Sequence, residues 1–318
     1  MKLYERIVEA SDRIRPGVRR TELVPSPWLS GEIEGEVRLK LECWQRTGSF
    51  KLRGATHKLS RLSEAGRKRG VVTASTGNHG MGVAQAASDL GVSAVVFVPE
   101  NADPGKLATI RDLGAEVRKV GEDCIVSEGA ARAFAEATER TYISPYNDSD
   151  VAAGQGTVAL ELMDQWPEVD AVYVSMGGGG LIGGMGAYLA QAAPQVELVA
   201  CSPTNSAVMH HSLQAGEILD LPSLPTLSDA TAGGVEAGSV TFGLCRDNID
   251  RSILVVEPHI EQALREVLAR HRFLVEGAAA LAVAGLRQDA ERLRGRRVAV
   301  VICGANIGLE KLRAVLGA

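Results

Sequence analysis

Residues 42–54 read Glu42-Cys43-Trp44-Gln45-Arg46-Thr47-Gly48-Ser49-Phe50-Lys51-Leu52-Arg53-Gly54. One lysine, Lys51, stands between Phe50 and Leu52, directly after a Thr-Gly-Ser turn. The apolar neighbours predict partial burial, which disfavours the ammonium form and lowers the pKa of an amine toward that of a usable nucleophile or base. Such an amine suits Schiff-base chemistry, so Lys51 is a candidate catalytic residue. A structural lysine would explain the same residues, if its aliphatic stem covered the start of an amphipathic helix and its amine stayed in solvent. The choice between these two interpretations depends on other segments of the chain.

Length and composition predict an α/β protein with an aliphatic core. With 318 residues the chain is long enough for two lobes or one large α/β unit. Only 4% of the residues are aromatic while 35 are glycine, which fits many tight strand-to-helix turns. The net charge is −5 and no long basic run occurs, so neither nucleic acid nor a membrane surface is an expected partner.

The cysteines predict a reducing compartment. Five of them are dispersed along the chain without the spacing of a zinc site or the density of a disulfide scaffold. The N-terminus lacks an uninterrupted apolar segment, and no stretch reaches the ~18 apolar residues of a membrane span. We therefore expect a soluble, cytoplasmic protein.

The first sixty residues lead to the Lys51 turn. Apolar residues at helical spacing predict a helix over residues 3–14, which Pro16-Gly17 ends. An extended, proline-punctuated arm is expected through Pro25–Leu29, followed by a strand over Val37–Leu41. Leu52–Leu62 has the pattern of a helix, so Lys51 is expected near a helix N-terminus.

Strands then alternate with helices, which predicts parallel sheets covered by helices on both faces, with ligands at the carboxyl ends of the strands. The expected elements of the first series are a strand at Val71-Val72, a helix over Asn78–Leu90, a strand over Ala94–Val98, a helix over Pro104–Leu113, a strand over Glu116–Val120 and a helix over Ser127–Ala137. Those of the second series are a helix over Val151–Met163, a strand over Ala171–Ser175, a helix over Leu181–Ala192 and a strand over Val196–Cys201. Helices over His259–Arg270 and Glu276–Leu286 and a buried strand over Val298–Ile302, ending at Cys303, complete the pattern.

A glycine-rich turn follows the predicted strand that ends at Ser175. Gly177–Gly180 lies between that strand and a helix, so several backbone N–H groups can converge on an anion such as a phosphate. The spacing Gly178-x-Gly180-x-x-Gly183 also matches a dinucleotide fingerprint, but Cys201 and Ser202 stand where that motif needs an acidic residue. A purely structural glycine turn is the third interpretation.

A second strand-to-helix turn contains Ser75-Thr76-Gly77-Asn78-His79-Gly80. Its hydroxyls, its amide and the helix N-terminus could hold a carboxylate. Ordinary helix capping by Ser, Thr or Asn explains the same residues.

Together these three motifs resemble the pyridoxal-phosphate (PLP) enzymes of the tryptophan-synthase-β fold, in the serine/threonine dehydratase and serine racemase branch. Ser49–Ala55 is similar to the cofactor-lysine motif, Ser75–Gly80 to the substrate-carboxylate loop and Gly177–Gly180 to the phosphate-binding loop. The resemblance covers nearly the whole chain and implies a two-lobed α/β fold. Residues 1–66 and 148–318 would form a large PLP-binding domain, and residues 67–147 a small mobile domain.

The resemblance also implies roles for particular residues. Lys51 would form the Schiff base with PLP and act in catalysis together with Thr76, Phe50 would lie against the pyridine ring, Asn78 would donate to the ring hydroxyl, and Cys303 would face the ring nitrogen. The remaining cofactor-binding residues would be Gly177, Gly178, Gly179, Gly180, Leu181, Gly234 and Glu276. The substrate-binding residues would be Ser75, Thr76, Asn78 and His79.

Several departures from the family pattern bear on function. Cys201-Ser202-Pro203 replaces the carboxylate with which some members hold a cation, so no metal is expected. Thr76 stands where the racemase branch has a serine. The sequence ends at Ala318 without the regulatory extension of the biosynthetic enzymes, which favours a catabolic role. Segments 73–80, 209–213 and 241–247 are most similar to hydroxyectoine-utilisation dehydratases.

The expected function is PLP-dependent β-elimination from a small 3-hydroxy amino acid, such as threonine or serine, giving a 2-oxo acid and ammonia. The small-molecule substrate would be the main partner, in an enzyme expected to be a homodimer. A hydroxyectoine-related dehydratase, a racemase and a β-replacement enzyme on the same fold remain alternatives. A nucleotide-binding module without turnover is the alternative from another class.

Overall fold

The computed structural model describes residues 2–317, and its strands form two separate sheets. The strands are β1 (Leu23–Pro25), β2 (Glu36–Lys40), β3 (Val71–Ala74), β4 (Ala94–Val98), β5 (Glu116–Lys119), β6 (Thr141–Tyr142), β7 (Ala171–Ser175), β8 (Glu197–Pro203), β9 (Arg251–Val255) and β10 (Arg297–Val301).

The longer helices surround these sheets. They are α1 (Leu3–Ile14), α2 (Pro27–Glu32), α3 (Lys51–Ser60), α4 (Glu64–Arg69), α5 (Asn78–Leu90), α6 (Pro104–Asp112), α7 (Cys124–Ala137), α8 (Ser149–Gln165), α9 (Gly180–Ala192), α10 (Val208–Ala215), α11 (Val240–Asn248), α12 (Glu257–His271), α13 (Gly277–Gln288) and α14 (Leu309–Leu316). Short 3₁₀ turns lie at Glu42–Trp44, Asp229–Thr231 and Ala290–Leu293. Within residues 2–317 no helix is long and apolar enough to span a membrane.

The six-stranded sheet has the order β1-β2-β10-β7-β8-β9, and all pairs except β1–β2 are parallel. Its central strands are continuous apolar runs, as expected for parallel strands covered on both faces. Every residue of β7 is buried, as are Val298–Val301 of β10. These strands and the helices beside them form the main hydrophobic core.

The four-stranded sheet has the order β5-β4-β3-β6 and is entirely parallel. Alternate residues of β4 face two smaller cores: Val96 and Val98 lie in one, and Val95 and Phe97 in the other. All four strands fall within residues 67–147. The exact division into two lobes, and the mobility of the smaller one, stay predictions.

Helices α3, α8 and α9 approach one another closely because glycines lie at their contacts. A Cβ atom on Gly154 of α8 would lie 2.6 Å from the Cα atom of Gly54 in α3. A Cβ atom on Gly184 of α9 would clash with the Ala152 carbonyl oxygen and lie 2.9 Å from the nitrogen of Gly156. These contacts bring α3, which begins at Lys51, directly against α8 and bring α8 against α9.

Most predicted elements are present, but the prediction for the N-terminal arm was wrong. The segment expected to be extended contains α2, because Ser26 caps the helix by accepting from the Leu29 nitrogen and Pro27 occupies a first-turn position. Strands β6 and β9 and helices α4, α10, α11 and α14 were not predicted. Four of the five residues of β9 are only half-buried, so its sequence lacks the apolar run that identifies the central strands.

The five cysteines are all reduced. Four are buried, and only Cys124, at the start of α7, is exposed.

Replacing Gly184 with Ala should lower the free energy of unfolding by about 1–3 kcal/mol, because the added methyl group meets backbone atoms that cannot move away. Gly129→Ala is the matched control: Gly129 lies inside α7, and a Cβ atom there would have no neighbour within 4 Å, so alanine should stabilise by about 0.5–1 kcal/mol. Chemical denaturation of both variants measures the difference. Equal effects would contradict the close α8–α9 packing.

Candidate active site

Lys51 is the first residue of α3, and its amine is withdrawn from solvent. Its Nζ atom donates to the Pro145 carbonyl oxygen at 2.8 Å. Burial lowers the pKa of Lys51 to about 8. The preceding turn is tied to the end of β10, since the Phe50 nitrogen donates to the Cys303 carbonyl oxygen at 3.2 Å and Ser49 bridges to Gly304. The result is an amine with a substantial neutral fraction near pH 8.

Behind Lys51, a buried charge network holds α3 in place. Arg53 and Glu42 are fully buried, and the guanidinium donates to both oxygens of Glu42, at 2.7 and 2.8 Å. Arg53 also donates to Glu161, at 2.8 Å, and Lys40 donates to that same carboxylate at 2.8 Å. Two cations and two carboxylates thus balance in an interior where an unpaired charge would be costly.

Two adjoining cavities meet at Lys51. We call them the serine-loop cavity, of about 190 Å³, and the glycine-loop cavity, of about 180 Å³. Both are lined by Lys51, Asn78, Pro145, Ala230 and Glu276. They lie at the carboxyl ends of β3, β7 and β10, which is the expected position for a ligand site in parallel sheets.

The glycine-loop cavity contains Gly177–Gly180 at the N-terminus of α9. A Cβ atom on Gly177 would lie 2.7 Å from the Thr231 carbonyl oxygen, and one on Gly178 would lie 2.5 Å from the Tyr146 ring. Gly179 adopts φ = +82°, which side-chain-bearing residues rarely adopt. Thr241 fixes the loop from outside by donating to the Gly178 carbonyl oxygen at 2.6 Å. Only glycines fit this turn, which opens the helix whose first N–H groups can bind an anion.

The serine-loop cavity is lined by Ser75, Thr76, Asn78 and His79 around the N-terminus of α5. Burial lowers the pKa of His79 to about 3, so its imidazole is neutral at physiological pH. The Nε2 atom of His79 lies 3.0 Å from the Ile143 carbonyl oxygen, which can only accept, so Nε2 carries the proton. The Nδ1 atom is buried without a partner among the described residues. It is therefore a free acceptor beside the cavity.

A polar cluster joins four segments where the cavities meet. The Nδ2 atom of Asn78 donates to both oxygens of Glu276, at 2.8 and 3.0 Å. The Nδ2 atom of Asn306 donates to Asn78 Oδ1 at 2.6 Å and to the Thr47 carbonyl oxygen at 2.8 Å. The Asn306 nitrogen donates to Glu276 at 3.1 Å. Burial raises the pKa of Glu276 to about 7, so this carboxyl group titrates near neutrality.

Cys303 lies buried in the glycine-loop cavity just beyond β10. Burial raises the pKa of its thiol well above the ordinary value, so the sulfur stays protonated and uncharged.

All the residues predicted for the site line one or both cavities. The serine-loop cavity contains Lys51, Ser75, Thr76, Asn78, His79 and Glu276, and the glycine-loop cavity contains Phe50, Lys51, Asn78, Gly177, Gly178, Gly179, Gly180, Leu181, Gly234, Glu276 and Cys303. Their individual roles stay predictions.

Sequence reasoning missed several lining residues, and those with the largest polar side chains are Lys106, Tyr146, Asp229 and Asn306. Asn306 could have been found, because it follows the predicted strand that ends at Cys303. The other three lie on segments that are distant in sequence from the motifs, so the sequence does not show that they are close to the site in space.

A comparison with known families agrees with this geometry. The family model described as "Pyridoxal-phosphate dependent enzyme" matches residues 14–304. The chain belongs to this family.

Relatives of this PLP-dependent enzyme extend over nearly its whole length. It is 38% identical over 316 residues to the L-threonine ammonia-lyase of Thermotoga maritima, a match that covers 99% of this chain and 78% of that protein. The solved threonine deaminase isoform 2 of Solanum lycopersicum superposes with a TM-score of 0.95 at 31% identity, covering 99% of this chain and 87% of that one. Maize serine racemase superposes with a TM-score of 0.92 at 30% identity, covering 99% and 96%.

The residues present fit PLP. The cofactor needs an amine for its aldehyde and an anion site for its phosphate. Lys51 supplies a desolvated amine, and the Gly177–Gly180 turn supplies backbone N–H groups in a cradle that side chains would fill. Both features line the same cavity.

Glu276→Gln should change how stability depends on pH in the cofactor-free protein. Burial raises the pKa of Glu276 from 4.5 to about 7 on folding, so the native state binds a proton more tightly than the unfolded chain. This contribution is present below about pH 4.5 and is lost as the pH rises through 7. Relative to Glu276→Gln, the native protein should lose roughly 3 kcal/mol of unfolding free energy across that window.

The measurement is the unfolding free energy at intervals from pH 4.5 to 8.5. Glu217→Gln is the control, because Glu217 is exposed and forms no ion pair among the described residues. If both glutamine variants kept the native pH dependence, Glu276 would not titrate as described.

Proposed function

We propose that this enzyme is an ammonia-lyase acting on a small 3-hydroxy amino acid. The substrate loses its Cα proton and its β-hydroxyl group as water, which leaves an enamine. The enamine tautomerises to an imine, and hydrolysis of the imine gives a 2-oxo acid and ammonia. The observation that most strongly supports this proposal is the desolvated Lys51 amine at the junction of the two cavities. The relatives named threonine ammonia-lyase and threonine deaminase support the same reaction class.

PLP would be held by residues from several segments. Lys51 would bind its aldehyde carbon, Gly177–Gly180 and Leu181 its phosphate, and Phe50 would pack against its ring. Asn78, Gly234, Glu276 and Cys303 would complete the pocket. When bound, PLP provides a delocalised acceptor for the electron pair left at Cα.

Lys51 is the proposed base. Once the substrate amine has replaced it, the free amine with its lowered pKa can accept the Cα proton. Its proximity to both cavities places the proton acceptor between the cofactor pocket and the substrate pocket.

The substrate carboxylate would bind at the N-terminus of α5. The partial positive charge of the helix terminus, together with the Ser75 and Thr76 hydroxyls, favours an anion there. Asn78 and the neutral His79 line the same cavity and would complete this contact. A small amino acid bound in this way would share its cavity with Lys51.

The uncharged Cys303 thiol favours elimination over transamination. Such a thiol can donate a hydrogen bond to the ring nitrogen but cannot keep a full proton there as a carboxylate would. Less stabilisation of the Cα electron pair shortens its lifetime and favours prompt loss of the β-hydroxyl. By binding the cofactor phosphate, the Gly177–Gly180 turn would act electrostatically as well as by anchoring.

A cytoplasmic, catabolic homodimer without a metal requirement completes the proposal. Racemisation is the second candidate function, favoured by the likeness to maize serine racemase. It needs an acid on the face of Cα opposite Lys51, and Thr76 is the available hydroxyl. The methyl group of threonine restricts χ1, so Thr76 should orient the carboxylate rather than move a proton.

The test is release of 2-oxo acid and ammonia from a panel containing threonine, serine, 3-hydroxyaspartate and a hydroxyectoine-derived 3-hydroxy amino acid. Turnover of at least one member is expected. Absence of both products from the whole panel, with PLP bound, would reject the proposed function.

Lys51→Ala should reduce turnover by several orders of magnitude, because the variant loses both the cofactor attachment point and the base. Lys68→Ala is the control, since Lys68 is an exposed residue in α4. Borohydride reduction and peptide mapping of the unaltered protein should place the label on Lys51. A label on another lysine, or near-normal turnover by Lys51→Ala, would contradict the assignment.

Thr76→Ala should weaken substrate binding, raising KM, without creating or abolishing racemisation. Chiral analysis of residual serine or threonine during turnover measures this directly. Abundant epimerised amino acid, formed faster than 2-oxo acid by the unaltered enzyme and lost in Thr76→Ala, would favour the racemase.

A further inference from the structure

Both polar atoms of the Asn78 carboxamide contact residues that lie far from it in sequence. Its Nδ2 atom donates to Glu276, and its Oδ1 atom accepts from Asn306. A carboxylate can only accept a hydrogen bond and the Asn306 NH₂ group can only donate one. If the Asn78 amide were flipped, its oxygen would face the Glu276 carboxylate and its NH₂ group would face the Asn306 NH₂ group, and neither contact could be a hydrogen bond. Two independent contacts therefore determine one orientation.

The two partners are themselves fixed. The Asn306 side chain donates to the Thr47 carbonyl oxygen at 2.8 Å, four residues before Lys51. The Glu276 nitrogen donates to the Gly304 carbonyl oxygen at 3.0 Å. All three side chains are buried or half-buried, so water competes poorly for these hydrogen bonds.

The backbone around the cluster accommodates it. Gly48 has φ = +73°, and a Cβ atom there would lie 2.8 Å from Asn306 Oδ1. A Cβ atom on Gly304 would collide with the Glu276 carboxylate. The glycines of the lysine turn and of the segment after β10 leave space that these two side chains fill.

We propose that Asn306 and Glu276 are positioning residues that hold the Asn78 carboxamide in one orientation and thereby fix the N-terminus of α5 against the Lys51 turn. This inference rests on the proposed function, because its consequence is correct placement of the substrate-carboxylate loop. The ionised form of Glu276 accepts from both Asn78 and Asn306, whereas the protonated acid loses part of that capacity and loosens the cluster.

The charges around Glu276 set the pH at which this happens. Asp229 raises the pKa of Glu276 and Lys106 lowers it, while burial raises it most. Lys51, Cys303 and Cys43 also lie near enough to interact with this carboxyl group. The acid limb of kcat/KM should therefore lie near pH 7, with activity falling as Glu276 gains its proton.

Asn306→Asp tests the proposal with a side chain of the same shape. It removes the donors to Asn78 and Thr47 and places a second carboxylate beside Glu276, so the pair retains a proton to higher pH. We expect about a tenfold loss of kcat/KM at pH 7.5 and an upward shift of the acid limb by about one pH unit. Asn306→Ser, which adds no charge, should lower activity without moving the limb.

Asn248→Asp is the matched control, since Asn248 donates to the Leu244 carbonyl oxygen at 2.7 Å but lines neither cavity. It should leave the limb unmoved. In Glu276→Gln, and in the double variant Glu276→Gln/Asn306→Asp, the limb near pH 7 should be absent.

The cofactor-free protein gives a readout independent of turnover. In Asn306→Asp the pH-dependent fall in unfolding free energy assigned to Glu276 should extend about one unit higher than in the unaltered protein. An acid limb and a stability profile that coincide with those of Asn248→Asp would overturn the inference. If the unaltered holoenzyme released no 2-oxo acid, the proposed function would fail, while the stability profile would still decide whether the cluster couples Asn306 to Glu276.

Discussion

Charge neutrality around Arg53 is the constraint on which the position of Lys51 depends. Helix α3 carries Lys51 at its first position and the fully buried Arg53 half a turn later. Glu42 and Glu161 neutralise that guanidinium and the neighbouring Lys40. Removing either carboxylate would leave an unpaired buried cation at a cost of about 3–5 kcal/mol. The helix therefore cannot rotate or slide without exposing a charge to an apolar interior.

This fixed helix explains how the half-buried Lys51 amine can be held at a defined position. The glycine contacts bring α3 against α8, and the turn before Lys51 is bonded to the segment after β10. The amine is thus held at the meeting point of two cavities by covalent and hydrogen-bonded neighbours. Desolvation lowers its pKa to about 8, whereas the same burial raises the pKa of Glu276 to about 7. The same desolvation therefore brings the pKa of the Lys51 amine and the pKa of the Glu276 carboxyl group closer together.

Fold and site could be predicted where apolar runs end at recognisable turns. Strand Ala171–Ser175 has the predicted boundaries, and the Gly177–Gly180 turn after it reaches the site because such junctions converge at the carboxyl edges of parallel sheets. Helix α2 was missed because prolines usually interrupt helices, although Pro27 is favourable in a first helical turn. Strand β9 was missed because it lies half-buried at a sheet edge, so its neighbours specify it. The burial of Glu276 and the contributions of Lys106, Tyr146 and Asp229 could not be predicted from the sequence. They depend on loops that are distant along the chain and meet only in the folded protein.

The distribution of the thiols gives this protein a natural attachment point for spectroscopic probes. Cys124 is the exposed member of the five and lies at the start of α7, which packs on the smaller sheet, while the other four are buried. Partial desolvation and the neighbouring Asp123 raise the pKa of the Cys124 thiol, so labelling would proceed faster at mildly alkaline pH. A maleimide fluorophore placed there would report whether the smaller sheet moves relative to the larger one when a ligand binds, in the unaltered sequence and without introducing or removing a single cysteine.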